Sequence, residues 1–196
     1  MIKAIMFDFV GVLGGGVIAD FMEIYPEYKA EIKRLFMDEF DLGRGTIAER
    51  YEALARAVHA DVATVKQQLD KIGEDLYVND ALMNKVLELK KKYKIGLLSN
   101  AGLGPIVYDT VRYGSDWRDK YFDDFVLSCD VHLIKPDPEI YKLAAERLGV
   151  AASECLFIDD AAKNVAGAEN VGMTGILYTD FDQVITDIEK ILNKSL

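Results

Sequence analysis

The stretch CLFIDDAAKNVAGAENVGM, residues 155–173, decides the fold. Its first four residues are apolar without a break, the pattern of a strand buried on both faces of a parallel sheet. Asp159 and Asp160 close that run, and a helix begins near Ala161. A second short apolar run follows at 175–178. Toward the N-terminus the pattern recurs at 125–128, at 95–98 and in IKAIMF, residues 2–7, with helical periodicity between successive runs. In the segment 138–148, Ile140, Leu143, Ala144 and Leu148 share a face and Gly149 supplies the stop, which predicts a crossover helix. Strands alternating with helices predict an α/β fold, a parallel sheet with helices on both faces.

From about residue 17 to residue 90 helical periodicity persists without a strand. Ile32, Leu35, Phe36 and Phe40 share one face. Thr46 and Glu49 form a capping box ahead of Ile47, Tyr51, Leu54 and Val58. Asp61 precedes Val62, Val65, Leu69 and Ile72, and Asn79 is an N-cap ahead of Leu82, Val86 and Leu89. The expected organisation is a core of residues 1–16 and 88–196, with a helical insertion at 17–87. Gly14, Gly15 and Gly16 form the exit from the first strand, as a hinge or as a turn.

The 196 residues are 51% hydrophobic and carry 33 acidic against 23 basic side chains, a formal charge of −10. That composition suits one globular core with a small module, not a disordered chain. The acidic balance argues against a nucleic-acid face, which needs clustered Lys and Arg, and against anionic membranes. The basic run Lys90, Lys91, Lys92 and Lys94 reads as a solvated helix end. Cys129 and Cys155 are too few for a disulfide framework and lack metal-type spacing, so both read as buried thiols in a reducing compartment. The N-terminal apolar run is broken by Asp8 and carries no cleavage-site pattern, and the expectation is a soluble cytoplasmic protein.

Ligands of parallel α/β sheets bind beyond the carboxyl ends of the strands, so the residues just after each apolar run matter most. These are Asp8, the pair Ser99 and Asn100, Lys135 ahead of a helix, and the pair Asp159 and Asp160. Singly, each has a plain reading as a turn former, an N-cap or an exposed lysine. As an ordered set at strand ends they supply an anionic attacker, donors for transferring oxygens and ligands for a divalent cation, the parts of a phosphoryl-transfer site.

The chain resembles the haloacid dehalogenase-like (HAD) hydrolases of the subclass with a helical C1-type cap. The resemblance rests on FDFVGVL at 7–13, LLSN at 97–100, KPDPEIY at 135–141 and FIDDAAKNVAGAENVGM at 157–173. It implies a Rossmann-like core, a cap formed by the insertion, and an aspartyl-phosphate route for a small phosphorylated metabolite. It further implies Asp8 as nucleophile, Ser99 and Lys135 as catalytic partners, and Val10, Ser99, Asn100 and Lys135 as substrate contacts. Asp8, Asp159, Asp160 and the Val10 carbonyl would hold Mg²⁺. The expected assembly is a monomer or a homodimer.

One position departs from the pattern. Phosphatases of this family carry a second Asp two residues after the first, as general acid and base, and here that residue is Val10. General acid–base help is worth roughly 10²–10⁴-fold, so leaving groups that need little protonation would suffer least. The same vacancy admits a metal-independent 2-haloacid dehalogenase, although two adjacent acids at a strand end ask for a cation. It also admits a non-catalytic ligand- or partner-binding protein. Asn164 reads as an orienter beside the acid pair. His132 is a candidate for the absent proton carrier. Phe21, Tyr25, Phe36 and Arg44 of the insertion could either pack or select substrate.

Overall fold

The computed structural model describes residues 1–101 and 116–193 of the chain. Five parallel strands form one sheet: β1 (Ala4–Phe7), β2 (Lys94–Ser99), β3 (Asp124–Leu127), β4 (Cys155–Asp159) and β5 (Thr174–Leu177). All five lie where the apolar runs place them, displaced by at most two residues. Their spatial order is β3-β2-β1-β4-β5. The chain builds outward from β1 to β2 and β3 and then crosses back to β4 on the other side. The order therefore reverses beside β1, and the crevice above β1 and β4 is where such sheets bind ligands.

The sheet is buried on both faces, as continuous apolar strands require. Ile5 and Phe7 of β1 face a cluster completed by α5 (Asp80–Lys90), α6 (Trp117–Tyr121) and α10 (Phe181–Asn193), whose Leu82, Val86, Trp117, Val184 and Ile188 are buried there. Ala4 and Met6 face the opposite cluster, where Ile140, Tyr141 and Ala144 of α8 (Pro138–Arg147) meet Ala168 of α9 (Ala162–Asn170). A short helix, α7 (Ser128–Val131), continues directly from β3. Trp117 and Tyr121 are core residues, and Arg118 lies over the Phe125 ring. Residues 102–115, which precede them, fall outside the described residues.

The helical insertion has its own interior. α1 (Val17–Ile24), α2 (Lys29–Leu35), α3 (Ile47–Ala57) and α4 (Val62–Glu74) bury Phe21, Ile32, Leu54, Val65 and Leu69 together. The face of Ile32, Leu35, Phe36 and Phe40 is buried as its periodicity predicts, but its last turn, Phe36–Phe40, widens into a π-helix. The Thr46–Glu49 capping box and the Asp61 and Asn79 caps all form. The insertion's cluster reaches only to Leu76, whereas α5 packs on the sheet, so the expected boundary at 87/88 falls inside a helix that belongs to the sheet's interior. Periodicity shows that a helix is amphipathic, not which neighbour its apolar face meets.

The glycine triplet is neither loose nor free-standing. Gly15 N–H donates to the Tyr77 carbonyl at 2.8 Å, Asn79 N–H donates to the Leu13 carbonyl at 2.9 Å, and Gly14 bridges Val78. The two strands of chain joining insertion and core thus form a small antiparallel ribbon. At Gly14 a Cβ would stand 2.9 Å from the Phe9 ring, which fixes glycine there. Cys155 is buried as expected; Cys129 is only half-buried, because α7 lies at the sheet's edge under the insertion. Lys90 is not a purely solvated helix end: its ammonium donates to the carbonyls of Asp119 and Phe122 at 2.8 and 2.6 Å. No helix among the described residues is long and apolar enough to cross a membrane.

Candidate active site

Asp8 is the first residue past β1. Its N–H donates to the Ile158 carbonyl at 2.9 Å, prolonging the β1–β4 ladder by one step, and its Oδ1 accepts from Phe9 N–H at 2.7 Å. The carboxylate is thereby aimed out of the strand end by backbone alone. Lys135, 2% exposed, enters from the segment after α7, with its Nζ 2.9 Å from Asp8 Oδ1 and 2.6 Å from Asp159 Oδ2. Asp159, fully buried at the end of β4, also accepts from Ala161 N–H at 2.8 Å and from Asn164 Nδ2 at 3.0 and 3.1 Å. Asn164 is held in turn by Tyr141, whose hydroxyl donates to its carbonyl at 2.8 Å.

Ser99 closes β2 and is 1% exposed. Its hydroxyl has no partner at full hydrogen-bond geometry among the described residues, yet it sits close enough to Asp8 to favour the carboxylate form. A buried donor in that condition is suited to an oxygen of an incoming ligand. Asn100, expected among the substrate contacts, has its amide engaged instead on the Lys135 backbone, accepting from the N–H at 2.8 Å and donating to the carbonyl at 3.1 Å. Val10 is half-buried, and its side chain packs toward Gly16, where a Cβ would come within 2.8 Å of Val10 Cγ1. His132 is exposed, ends α7 in the left-handed region at φ 58°, and places its Nδ1 2.8 Å from the Leu42 carbonyl. The ring is an anchor between core and insertion. Phe21 and Phe36 pack inside the insertion, Tyr25 donates to Gln68 at 2.9 Å, and Arg44 faces Glu39 at 3.6 Å.

Asp8, Asp159 and Asp160 can each present a carboxylate oxygen within 4.8 Å of the others. Burial raises the Asp8 carboxyl above its ordinary range, and repulsion from Asp159 adds to it, while Lys135 pulls it back. Asp160 is raised for the same two reasons. Three carboxylates against one ammonium leave two negative charges, the amount a divalent ion would offset. Carboxylates are the hard oxygen donors that Mg²⁺ takes. Gly11 keeps the entry open: with φ +84°, it lies where a Cβ would come 2.3 Å from Asp160 Oδ2. The residues present fit the ion.

Two neighbouring groups are not marked in the sequence. Asp41 follows the π-turn, is largely shielded from solvent, and feels both Arg50 and Lys135; burial lifts its carboxyl to about 6. Arg50, 6% exposed, donates to the Arg44 carbonyl at 3.1 Å and lies over the Phe40 ring. The signal in the sequence is DLGRG at 41–45, two glycines in an otherwise helical module, with φ +73° and +72° at Gly43 and Gly45. A tight loop on a rigid support is where functional side chains concentrate.

The family model of the haloacid dehalogenase-like hydrolases matches residues 2–172. The chain is 31% identical over 139 residues to bifunctional epoxide hydrolase 2 of Sus scrofa, a match covering 68% of this chain and 24% of that protein. The chain thus spans about a quarter of that relative's length. Among solved structures, an HAD-like family hydrolase from Porphyromonas gingivalis is 25% identical with a TM-score of 0.79, covering 98% of both chains. An HAD family enzyme from Bacteroides thetaiotaomicron, solved with magnesium and inorganic phosphate, is 25% identical with a TM-score of 0.76, covering 94% of this chain and 99% of that one.

Proposed function

Because the chain belongs to the haloacid dehalogenase-like hydrolases, we propose that it hydrolyses a small phosphorylated metabolite, with Asp8 as nucleophile and Mg²⁺ as cofactor. The observation carrying this reading is the charge count around Lys135: Asp8, Asp159 and Asp160 exceed it by two negative charges at the switch point of the sheet. A 2-haloacid dehalogenase would leave that excess without a partner.

In the first step an Asp8 oxygen bonds to phosphorus and the bond to the leaving oxygen breaks; in the second, water attacks phosphorus and frees Asp8. Lys135 holds Asp8 in line and balances its charge. The Ser99 hydroxyl and the Lys135 ammonium face the transferring oxygens, and Asn100 keeps Lys135 in place. The ion would sit on Asp8, Asp159, Asp160 and the Val10 carbonyl, where it would supply Lewis-acid charge to the phosphoryl oxygens. The helices from Val17 to Glu74 act as the cap and select the leaving group. Val10 moves no proton, so either the leaving group needs none or another side chain provides it.

A panel of phosphorylated metabolites assayed with Mg²⁺ and with EDTA tests the reading. Metal-linked phosphate release, lost in Asp8→Asn, is expected. Halide release from 2-haloacids without metal, or binding with no turnover on either panel, would replace it.

A further inference from the structure

We infer that Asp41, on the insertion, is the proton carrier that Val10 cannot be, donating to the leaving oxygen and then accepting from the hydrolytic water. The inference rests on the phosphohydrolase reading above and names the residue that completes it.

The placement comes first. The loop carrying Asp41 is seated on the core beside the site. The Leu42 carbonyl meets His132 Nδ1 at 2.8 Å, and at Gly43 a Cβ would fall 2.0 Å from the Cys129 carbonyl oxygen. That close approach fixes the loop against α7, which ends four residues ahead of Lys135. Asp41 starts the loop, its N–H donating to the Phe36 carbonyl at 2.8 Å across the π-turn. The widened turn thus fixes Asp41 at the start of the loop that seats on the core. Lys135, which touches Asp8, is also one of the two cations acting on Asp41.

The chemistry agrees with the placement. Outside the Asp8 cluster, Asp41 is the carboxyl group among the described residues that is shifted upward, because burial outweighs the attraction of Arg50 and Lys135. The charged and titratable groups on the elements packed about it are Arg50 on α3, Glu39 and Arg44 beside it in the chain, Cys129, Asp130 and His132 on the core, and Lys135. An acid titrating near 6 is matched to proton transfer near neutral pH. The balance is complete. As Asp8 bonds to phosphorus and the ester P–O bond breaks, the Asp41 proton passes to the leaving oxygen. In the second step water bonds to phosphorus, the Asp8–phosphorus bond breaks, and the water proton returns to Asp41, whose carboxylate Arg50 and Lys135 have stabilised meanwhile.

The test compares Asp41→Asn with the wild type on para-nitrophenyl phosphate, whose leaving group needs no proton, and on glycerol phosphate, whose leaving group does. In Asp41→Asn, nitrophenol should appear in a single-turnover burst and then stall, because only the water step needs the carboxylate. Glycerol phosphate should give no burst and lose roughly 10²–10⁴-fold in turnover. Wild-type kcat/KM on glycerol phosphate should decline as pH rises above about 6, where Asp41 has lost its proton, and the variant should lack that limb. A variant slowed on para-nitrophenyl phosphate without a nitrophenol burst, or no loss on either substrate, would overturn the role of Asp41 and leave the hydrolase reading standing. A wild type inert on every phosphate ester would remove both.

Discussion

The Asn100 amide closes on the Lys135 backbone from both sides, accepting from its N–H at 2.8 Å and donating to its carbonyl at 3.1 Å. One residue at the end of β2 therefore sets where the ammonium between Asp8 and Asp159 can stand. Asn100→Ala removes both bonds without touching Asp8. Losing a partner that orients a reacting group costs about 10–100-fold in activity, and kcat on phosphate esters should fall by that much with little change in melting temperature. Unaltered kcat would show that Lys135 is held by its own ion pairs.

Lys135 is the sole cation shown in direct contact with Asp8 and Asp159 among the described residues. Lys135→Met leaves buried carboxylates facing each other, and breaking a buried pair in this way costs about 3–5 kcal/mol. At about 2–4 °C per kcal/mol for a chain of this size, the melting temperature in EDTA should drop clearly. Added Mg²⁺ should restore more stability to the variant than it adds to the wild type, since the excess negative charge is larger. Identical magnesium shifts in both proteins would refute the charge count.

Gly11 combines a φ of +84° with a position where a Cβ would come 2.3 Å from Asp160 Oδ2. Gly11→Ala must displace Asp160 from the cluster. The expected result is a protein with near-native circular dichroism, because Gly11 is exposed, but with magnesium binding weakened at least tenfold by calorimetry. Retained affinity would mean that Asp160 is not a ligand.

Asp41 also predicts a pH-dependent stability change. Its carboxyl is raised from 3.8 to about 6 on folding, so the folded state holds the proton more tightly than the unfolded chain does. The protonated acid's advantage is complete below about 4 and is lost as pH rises through about 6; above that, a buried carboxylate weighs on the fold. Asp41→Asn removes that penalty. The variant should melt higher than the wild type at pH 7.5 and level with it near pH 4. A difference independent of pH would show that Asp41 is not shielded from water.

Much of this was legible in the chain. The five strands follow from short apolar runs, and Thr46, Asp61 and Asn79 cap as their spacing requires, because both signals are local. Asp8, Ser99, Lys135 and the Asp159–Asp160 pair could be picked out because a parallel sheet gathers its strand ends at one edge. Asn164 beside Asp159 was legible for the same reason. The packing of α5 on the sheet, the ribbon joining Gly15 to Tyr77, and the seating of Leu42 on His132 were not. Each depends on residues dozens of positions apart meeting in space, and no periodicity within a segment reports that. Asp41 escaped notice on the same ground: its neighbours Arg50 and Lys135 come from α3 and from the far half of the chain.

The central claim is that Asp8 attacks phosphorus, and the most direct measurement is hydrolysis of para-nitrophenyl phosphate in water labelled with heavy oxygen, with the product phosphate and the Asp8 peptide both analysed by mass spectrometry. The account predicts label in the phosphate, none in the peptide, and a phosphoryl group on that peptide after acid quench during turnover. Label in the Asp8 carboxylate, or phosphate release by an enzyme whose Asp8 peptide never carries phosphorus, would contradict it.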